Sequence, residues 1–158
     1  MKNILFICMG NLCRSPIAQA VATRKAEQRG LTPWVRFASA GTHPSRKGET
    51  ADPRAIRVGH ARGYDLTNHR TRRIDSADFR KFDLILTADA DNLAVLKDKC
   101  PPEYLPRLGL LLDALDDPSL TEIPDPYFGN LEGFERVFDL CEAAIDALFQ
   151  KHHNFRLP

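Results

Sequence analysis

Residues 4–8, Ile-Leu-Phe-Ile-Cys, form an unbroken apolar run that stops at Gly10-Asn11, and Ser15-Pro16 then opens a stretch rich in Ala, Gln, Lys and Glu. A short apolar run without polar alternation predicts a strand buried on both faces, as in a parallel sheet covered by helices. Ser15 supplies a helix N-cap, Pro16 suits the first helical position, and Gly30 stops the helix predicted over 17–29. The chain therefore starts as a strand–loop–helix unit whose strand ends at Cys8.

Strand and helix signals go on alternating. Residues 35–40 predict a second strand, 52–61 a helix opened by Asp52-Pro53, 82–88 a third strand, and 91–99 a helix closed by Pro101-Pro102. Residues 108–112 predict a fourth strand despite Gly109. Over 134–151, Phe134, Val137, Phe138, Cys141, Ile145 and Leu148 recur at spacings of three and four, a helical stripe. Residues 113–132, rich in Asp, Pro and Gly, read as a long surface loop, and loops of that length are commonly functional. The expected architecture is α/β: a single three-layer domain over residues 1–158, with a central four-stranded parallel sheet and helices on both faces. A chain of this size buries roughly 70% of its unfolded surface without staples. Ligands of such sheets bind beyond the carboxyl ends of the strands.

Composition narrows the function. Lys+Arg number 22 and Asp+Glu 21, a formal charge of +1, so no broad field attracts nucleic acid or an anionic membrane, and any anion site is local. The four cysteines, Cys8, Cys13, Cys100 and Cys141, are too sparse for a disulfide scaffold and include no CxxC pair for zinc. No metal and no cofactor are expected, and a reducing compartment, the cytoplasm, fits best. The N-terminal apolar run has no cleavage signal after it, and no stretch nears the roughly 18 apolar residues of a membrane span.

The loop Cys8-Met9-Gly10-Asn11-Leu12-Cys13-Arg14-Ser15 carries the chemistry. It places a thiol at a strand end and a guanidinium at a helix start, where unpaired N–H groups and the helix dipole attract an anion. Gly10 and Asn11 tolerate the left-handed backbone needed to curl the loop round a tetrahedral oxyanion, so a phosphate loop is expected after the first strand. Arg14 adds a bidentate grip, and the same groups favour a Cys8 thiolate as nucleophile. The chain has no GxxxxGK[ST] and no GxGxxG after a strand, which removes the nucleotide-cradling loops. Three Asp-Pro pairs offer a carboxylic acid. Asp52 reads as a helix cap and Asp117 as a turn residue, whereas Asp125 is flanked by prolines and followed by Tyr127 and Phe128, which can wall an aryl group.

Cys-x5-Arg-Ser-Pro from residue 8, with Asp125-Pro126-Tyr127-Phe128-Gly129 late in the chain, resembles the low-molecular-weight protein tyrosine phosphatase family over essentially the whole length. The resemblance implies that Cys8 attacks phosphorus, Arg14 binds the phosphoryl oxygens, and Asp125 protonates the leaving group and then activates water. It implies a phosphate loop of Met9, Gly10, Asn11, Leu12, Cys13 and Ser15, with the Ser15 hydroxyl donating to the Cys8 sulfur. Asn11, Ser39 and His69 resemble the family's network that holds the loop. Leu12, Ser45, Tyr127 and Phe128 are the expected substrate pocket; Leu12 favours an aryl substrate, and no aromatic wall is expected from residues 43–46. A pairing of Cys8 with Cys13 under oxidation is implied likewise. The implied partners are a tyrosine-phosphorylated protein and a cognate tyrosine kinase. Two other functions share such a loop. Thiol-linked arsenate reduction needs relay cysteines that residues 87–91 lack, and a non-catalytic oxyanion carrier has no use for Asp125. Cys100 and Cys141 are expected on helices as packing residues.

Overall fold

The apolar strand run is long because both of its faces are covered. In the computed structural model, which describes residues 1–152, β1 spans Lys2–Cys8 and its last five residues are buried. The other strands are β2 (Val35–Gly41), β3 (Leu84–Thr87) and β4 (Leu108–Leu110). All pair in parallel, in the order β2-β1-β3-β4. The helices are α1 (Arg14–Gln28), α2 (Pro53–Ala61), α3 (Asp78–Lys81), α4 (Ala90–Lys99) and α5 (Leu131–Lys151). The last residues of the expected unit, 153–158, lie outside the described residues.

Alternation along the strands sorts the core into two layers. Ile4, Phe6 and Leu86 pack with Ile17 and Val21 of α1, Ala55 of α2, and Phe134, Phe138 and Ile145 of α5. Leu5, Ile7 and Ile85 face the other way, against Phe79 of α3 and Leu96 of α4. Helices therefore cover both faces, as the sequence pattern predicts, and each fully buried Phe or Leu contributes roughly 1.5–3 kcal/mol. The chain leaves β1 towards β2 on one side and later reaches β3 on the other. The crevice at that reversal lies at the carboxyl ends of β1 and β3.

Several boundaries differ from expectation. Helix α1 starts at Arg14, with Cys13 as its N-cap residue and no capping side chain. Ser15 is not the cap: its hydroxyl is taken up by Cys8 and Asn11, and Pro16 follows inside the first turn. Strand β3 is shorter than 82–88 because Phe82 closes α3, a helix absent from the sequence pattern. Strand β4 ends at Leu110, where a 3-10 turn over Leu111–Leu115 bends the chain and ends at left-handed Asp116. The loop expected over 113–132 thus shrinks to 116–130, since Asn130 caps α5 by accepting the Gly133 N–H, four residues before Phe134. Cys100 sits just past α4 as its C-cap residue and Cys141 lies within α5; both are buried.

Candidate active site

Asn11 organises the loop after β1. It has a left-handed backbone, φ 57°, and no solvent exposure. A non-glycine residue in that region costs about 1–2 kcal/mol, and here four bonds impose it. Its Nδ2 donates to Ser15 Oγ at 2.8 Å and to Ser39 Oγ at 3.1 Å, and its Oδ1 accepts the Arg72 N–H at 3.0 Å. Its carbonyl accepts from His69 Nε2 at 2.7 Å. Burial lowers the His69 pKa, so the ring is held neutral, and because a carbonyl only accepts, Nε2 carries the hydrogen. Ser39 passes the network on to Gln19 Oε1 at 2.8 Å.

Gly10 departs from expectation: it is not left-handed, and a Cβ there would meet Leu12 at an ordinary 3.8 Å. The glycine that the loop requires is Gly41, at the end of β2, where a Cβ would lie 2.6 Å from the Met9 carbonyl oxygen.

Carbonyl groups of the loop are tied outward. Those of Cys8, Met9 and Leu12 accept the N–H groups of Thr42, His43 and Asp52 at 3.0, 2.9 and 2.9 Å. Among the described residues, no backbone N–H of residues 9–13 donates to a protein acceptor. A curl of unspent donors at a helix start is an anion cradle. At its base, Cys8 Sγ lies 3.0 Å from Ser15 Oγ. Because Ser15 Oγ accepts from Asn11, its one hydrogen can turn to a sulfur acceptor at 3.0 Å in preference to the Ala40 carbonyl at 3.5 Å.

Arg14 is buried, 4% exposed, and a buried cation needs partners. Its Nη1 donates to Asp89 Oδ2 at 2.7 Å and to the Ile123 carbonyl at 3.0 Å. Its Nη2 faces Asp125 Oδ2 at 3.8 Å. Asp89 also caps α4 by accepting the Asn92 N–H at 2.8 Å, so the end of β3 and the start of α4 aim the guanidinium. Asp125 is half-exposed, with Oδ1 accepting the Tyr127 N–H at 3.1 Å.

A cavity of about 180 Å³ joins these groups. Cys8, Cys13 and Arg14 line it together with Asp125, Leu12, Ser45, Tyr127 and Phe128. Met9 and Gly10 also line it, whereas Asn11, Ser15, Ser39 and His69 stand behind the loop. Phe128 is 94% exposed, with its ring edge-on to Tyr127 at 4.9 Å between centroids. The ring found at residues 43–46 is the imidazole of His43, whose Nδ1 lies 3.1 Å from Thr42 Oγ1. A larger hollow of about 380 Å³ between α1 and residues 63–69 has no cysteine in its lining.

Two groups escaped the sequence reading. Asp89 lies 75 positions from Arg14, and only its place after a strand end hinted at a site. Arg54 is the other. It binds Asp52 Oδ1 through Nε at 3.0 Å and Asp52 Oδ2 through Nη2 at 2.8 Å, and it donates to the carbonyls of Tyr127 and Gly129 at 2.8 and 3.2 Å. Its guanidinium also lies over the Tyr127 and Phe134 rings. Burial opposes the charge on Asp52, but the bonds from Arg54 and one from the Cys13 thiol outweigh it and hold the carboxyl low. Burial, then the Asp52 charge, pushes the Cys13 thiol far up, so Cys13 is protonated.

Fold and site together define an α/β protein in which the Cys-x5-Arg loop after the first strand and the side chain of Asp125 line one cavity. The family profile described as "Low molecular weight phosphotyrosine protein phosphatase" matches residues 3–154. The chain is 38% identical to the low molecular weight protein-tyrosine-phosphatase of Streptomyces coelicolor over 150 residues, 92% of this chain and 90% of that one. The crystal structure of a protein tyrosine phosphatase from Entamoeba histolytica with Hepes in the active site superposes with a TM-score of 0.93 at 38% identity, covering 99% of this chain and 100% of that one. Vibrio vulnificus Wzb in complex with benzylphosphonate gives a TM-score of 0.83 at 30% identity, covering 95% and 98%. The chain belongs to the low molecular weight phosphotyrosine protein phosphatase family and is a hydrolase of that kind. Among the described residues, no helix is long and apolar enough to cross a membrane.

Proposed function

We propose that the chain hydrolyses phosphotyrosine in proteins through a cysteinyl-phosphate, without a metal. The Cys8 thiolate attacks phosphorus while the loop N–H groups and Arg14 bind the phosphoryl oxygens, and Asp125 gives a proton to the departing phenolic oxygen. The Asp125 carboxylate then takes a proton from the water that attacks the phosphocysteine, releasing phosphate and restoring the thiolate. The observation that carries this reading is the single cavity that holds Cys8, Arg14 and Asp125, with Ser15 Oγ 3.0 Å from the Cys8 sulfur. Leu12, Tyr127 and Phe128 offer apolar faces to an aryl ring, and benzylphosphonate in the Vibrio relative is a ligand of that shape. A tyrosine kinase is the class of enzyme that must supply such a substrate. Four free thiols favour the cytoplasm.

Hydrolysis of phosphotyrosine and of para-nitrophenyl phosphate, assayed with and without a chelator, tests the reading. Equal rates in both are expected. Loss of activity with chelator would overturn the metal-free route, and no hydrolysis in either would overturn the function.

The same reading gives Cys13 a protective role. Peroxide oxidises the Cys8 thiolate to a sulfenic acid, and the Cys13 sulfur displaces hydroxide from it, leaving a Cys8–Cys13 disulfide and water once the thiol proton passes to the departing oxygen. Both sulfurs line one cavity. After peroxide and then dithiothreitol, wild type should regain most of its own starting rate and Cys13→Ser only a small fraction. Bound phosphate should slow the inactivation of both. Full recovery of the variant would leave Cys13 a packing residue.

A further inference from the structure

A second cleft, of about 400 Å³, adjoins the opening of the active site and shares Ser45 with it. Arg46, Lys47, Arg72 and Arg73 line it, with Asp75 as its one acidic residue. In a chain of formal charge +1, that is a local concentration of cations. Two of the five charges are already committed. Arg72 is paired with Asp78 at 2.9 and 3.2 Å, and Asp75 Oδ1 accepts the N–H groups of Ala77 and Asp78. Arg46 has only a 3.5 Å contact with Glu49 and is 81% exposed. Lys47 and Arg73 form no ion pair among the described residues.

The cleft is built and not a chance meeting of loops. Buried Thr71 holds its two walls together: its hydroxyl donates to the Arg46 carbonyl at 2.6 Å and accepts the Glu49 N–H at 2.9 Å, and its carbonyl accepts the Gly48 N–H at 2.8 Å. The next residues continue the sheet edge, where Gly41 N–H donates to the Arg72 carbonyl and Ile74 N–H to the Gly41 carbonyl. The Arg72 N–H also reaches Asn11 Oδ1, so the basic wall is fixed to the loop that cradles the anion. Exposed cations on walls whose backbone is held in this way attract an anion presented near the phosphate site.

We propose that this cleft is a second anion subsite, which binds an acidic group on a residue flanking the substrate phosphotyrosine. The assignment rests on the phosphatase reading above. It makes the preferred substrate a phosphotyrosine in an acidic stretch, with Lys47 and Arg73 as its specificity-determining residues. Carboxylates and a neighbouring phosphate share this chemistry, and peptides separate them.

The test compares three phosphotyrosine peptides that differ only in their flanks: glutamate on both sides, glutamine on both sides, or phosphoserine on both sides. Wild type should favour glutamate over glutamine by about 3–30-fold in kcat/KM, less at high salt, as expected for exposed charge pairs. The double variant Lys47→Glu/Arg73→Glu should lose or invert that preference while hydrolysing para-nitrophenyl phosphate at the wild-type rate, which also reports that it is folded. A gain with phosphoserine larger than with glutamate would assign the subsite to phosphate, and the reverse to carboxylate. Equal kcat/KM for all three peptides, or a preference that survives in the double variant, would overturn the subsite and leave the phosphatase reading standing. Failure to hydrolyse para-nitrophenyl phosphate and the glutamine peptide would remove both.

Discussion

Replacing Cys8 by serine should abolish turnover of phosphotyrosine and leave binding of phosphate or vanadate in place. Two features separate the outcomes. The cradle is made of backbone N–H groups and Arg14, none of which depends on the sulfur, so the anion still has its donors. The nucleophile does depend on it, because a serine hydroxyl stays protonated near neutral pH, and among the described residues no histidine is hydrogen-bonded to residue 8: His43 lines the cavity with its Nδ1 against Thr42 Oγ1, and His69 is bound to the Asn11 carbonyl. Single-turnover assays and vanadate titration measure the two properties apart. Near-normal turnover by Cys8→Ser would end the proposal that a phosphocysteine forms. Loss of vanadate affinity together with activity would place the sulfur in binding and not in chemistry.

Asp125→Asn should separate substrates by leaving group. An asparagine keeps the shape of the side chain and its bond to the Tyr127 N–H, but has no proton to give. On phosphotyrosine, whose phenolate leaves poorly, the loss should be roughly 10²–10⁴-fold in rate. On an aryl phosphate with strongly electron-withdrawing substituents, the departing oxygen needs little help, and the loss should be far smaller. Equal losses on the two would remove Asp125 as the acid and leave it a neighbour of Arg14. The comparison is clean because Arg54 holds the acid-bearing segment by the carbonyls of Tyr127 and Gly129, which the substitution does not touch.

Much of this arrangement could be read along the chain because it is local. The apolar run to Cys8 and the guanidinium six positions later lie within one loop, so their meeting follows from strand, turn and helix geometry alone. The two-faced core was likewise legible, since uninterrupted apolar strands have no face to give to water. What stayed hidden was set by partners distant in sequence. Asp89 and Arg54 look like an ordinary helix cap and an ordinary surface cation until β3 and α2 are packed. Of the two roles expected for Ser15, the contact with the Cys8 sulfur is present and the helix cap is not, for a related reason: Ser-Pro is a strong capping signal, but the loop offers its hydroxyl better partners than the helix does. Gly10 drew attention by adjacency to Asn11, whereas the steric demand falls on Gly41 in another strand. The short helix α3 and the turn over Leu111–Leu115 carry too few residues for a periodic pattern to register.

The clamp on Arg14 also bears on how tightly an anion can be held. An arginine side chain free in solvent must be frozen when it grips a ligand, at about 2 kcal/mol of rotamer entropy. Here Asp89 and the Ile123 carbonyl have fixed the guanidinium beforehand through Nη1. That ordering falls on the folding of β3 and α4 and not on the arrival of the ligand. A phosphoryl group bound as proposed would therefore meet a rigid donor whose orientation is inherited from the sheet. Affinity for small anions then becomes sensitive to mutations in α4 that never approach the cavity.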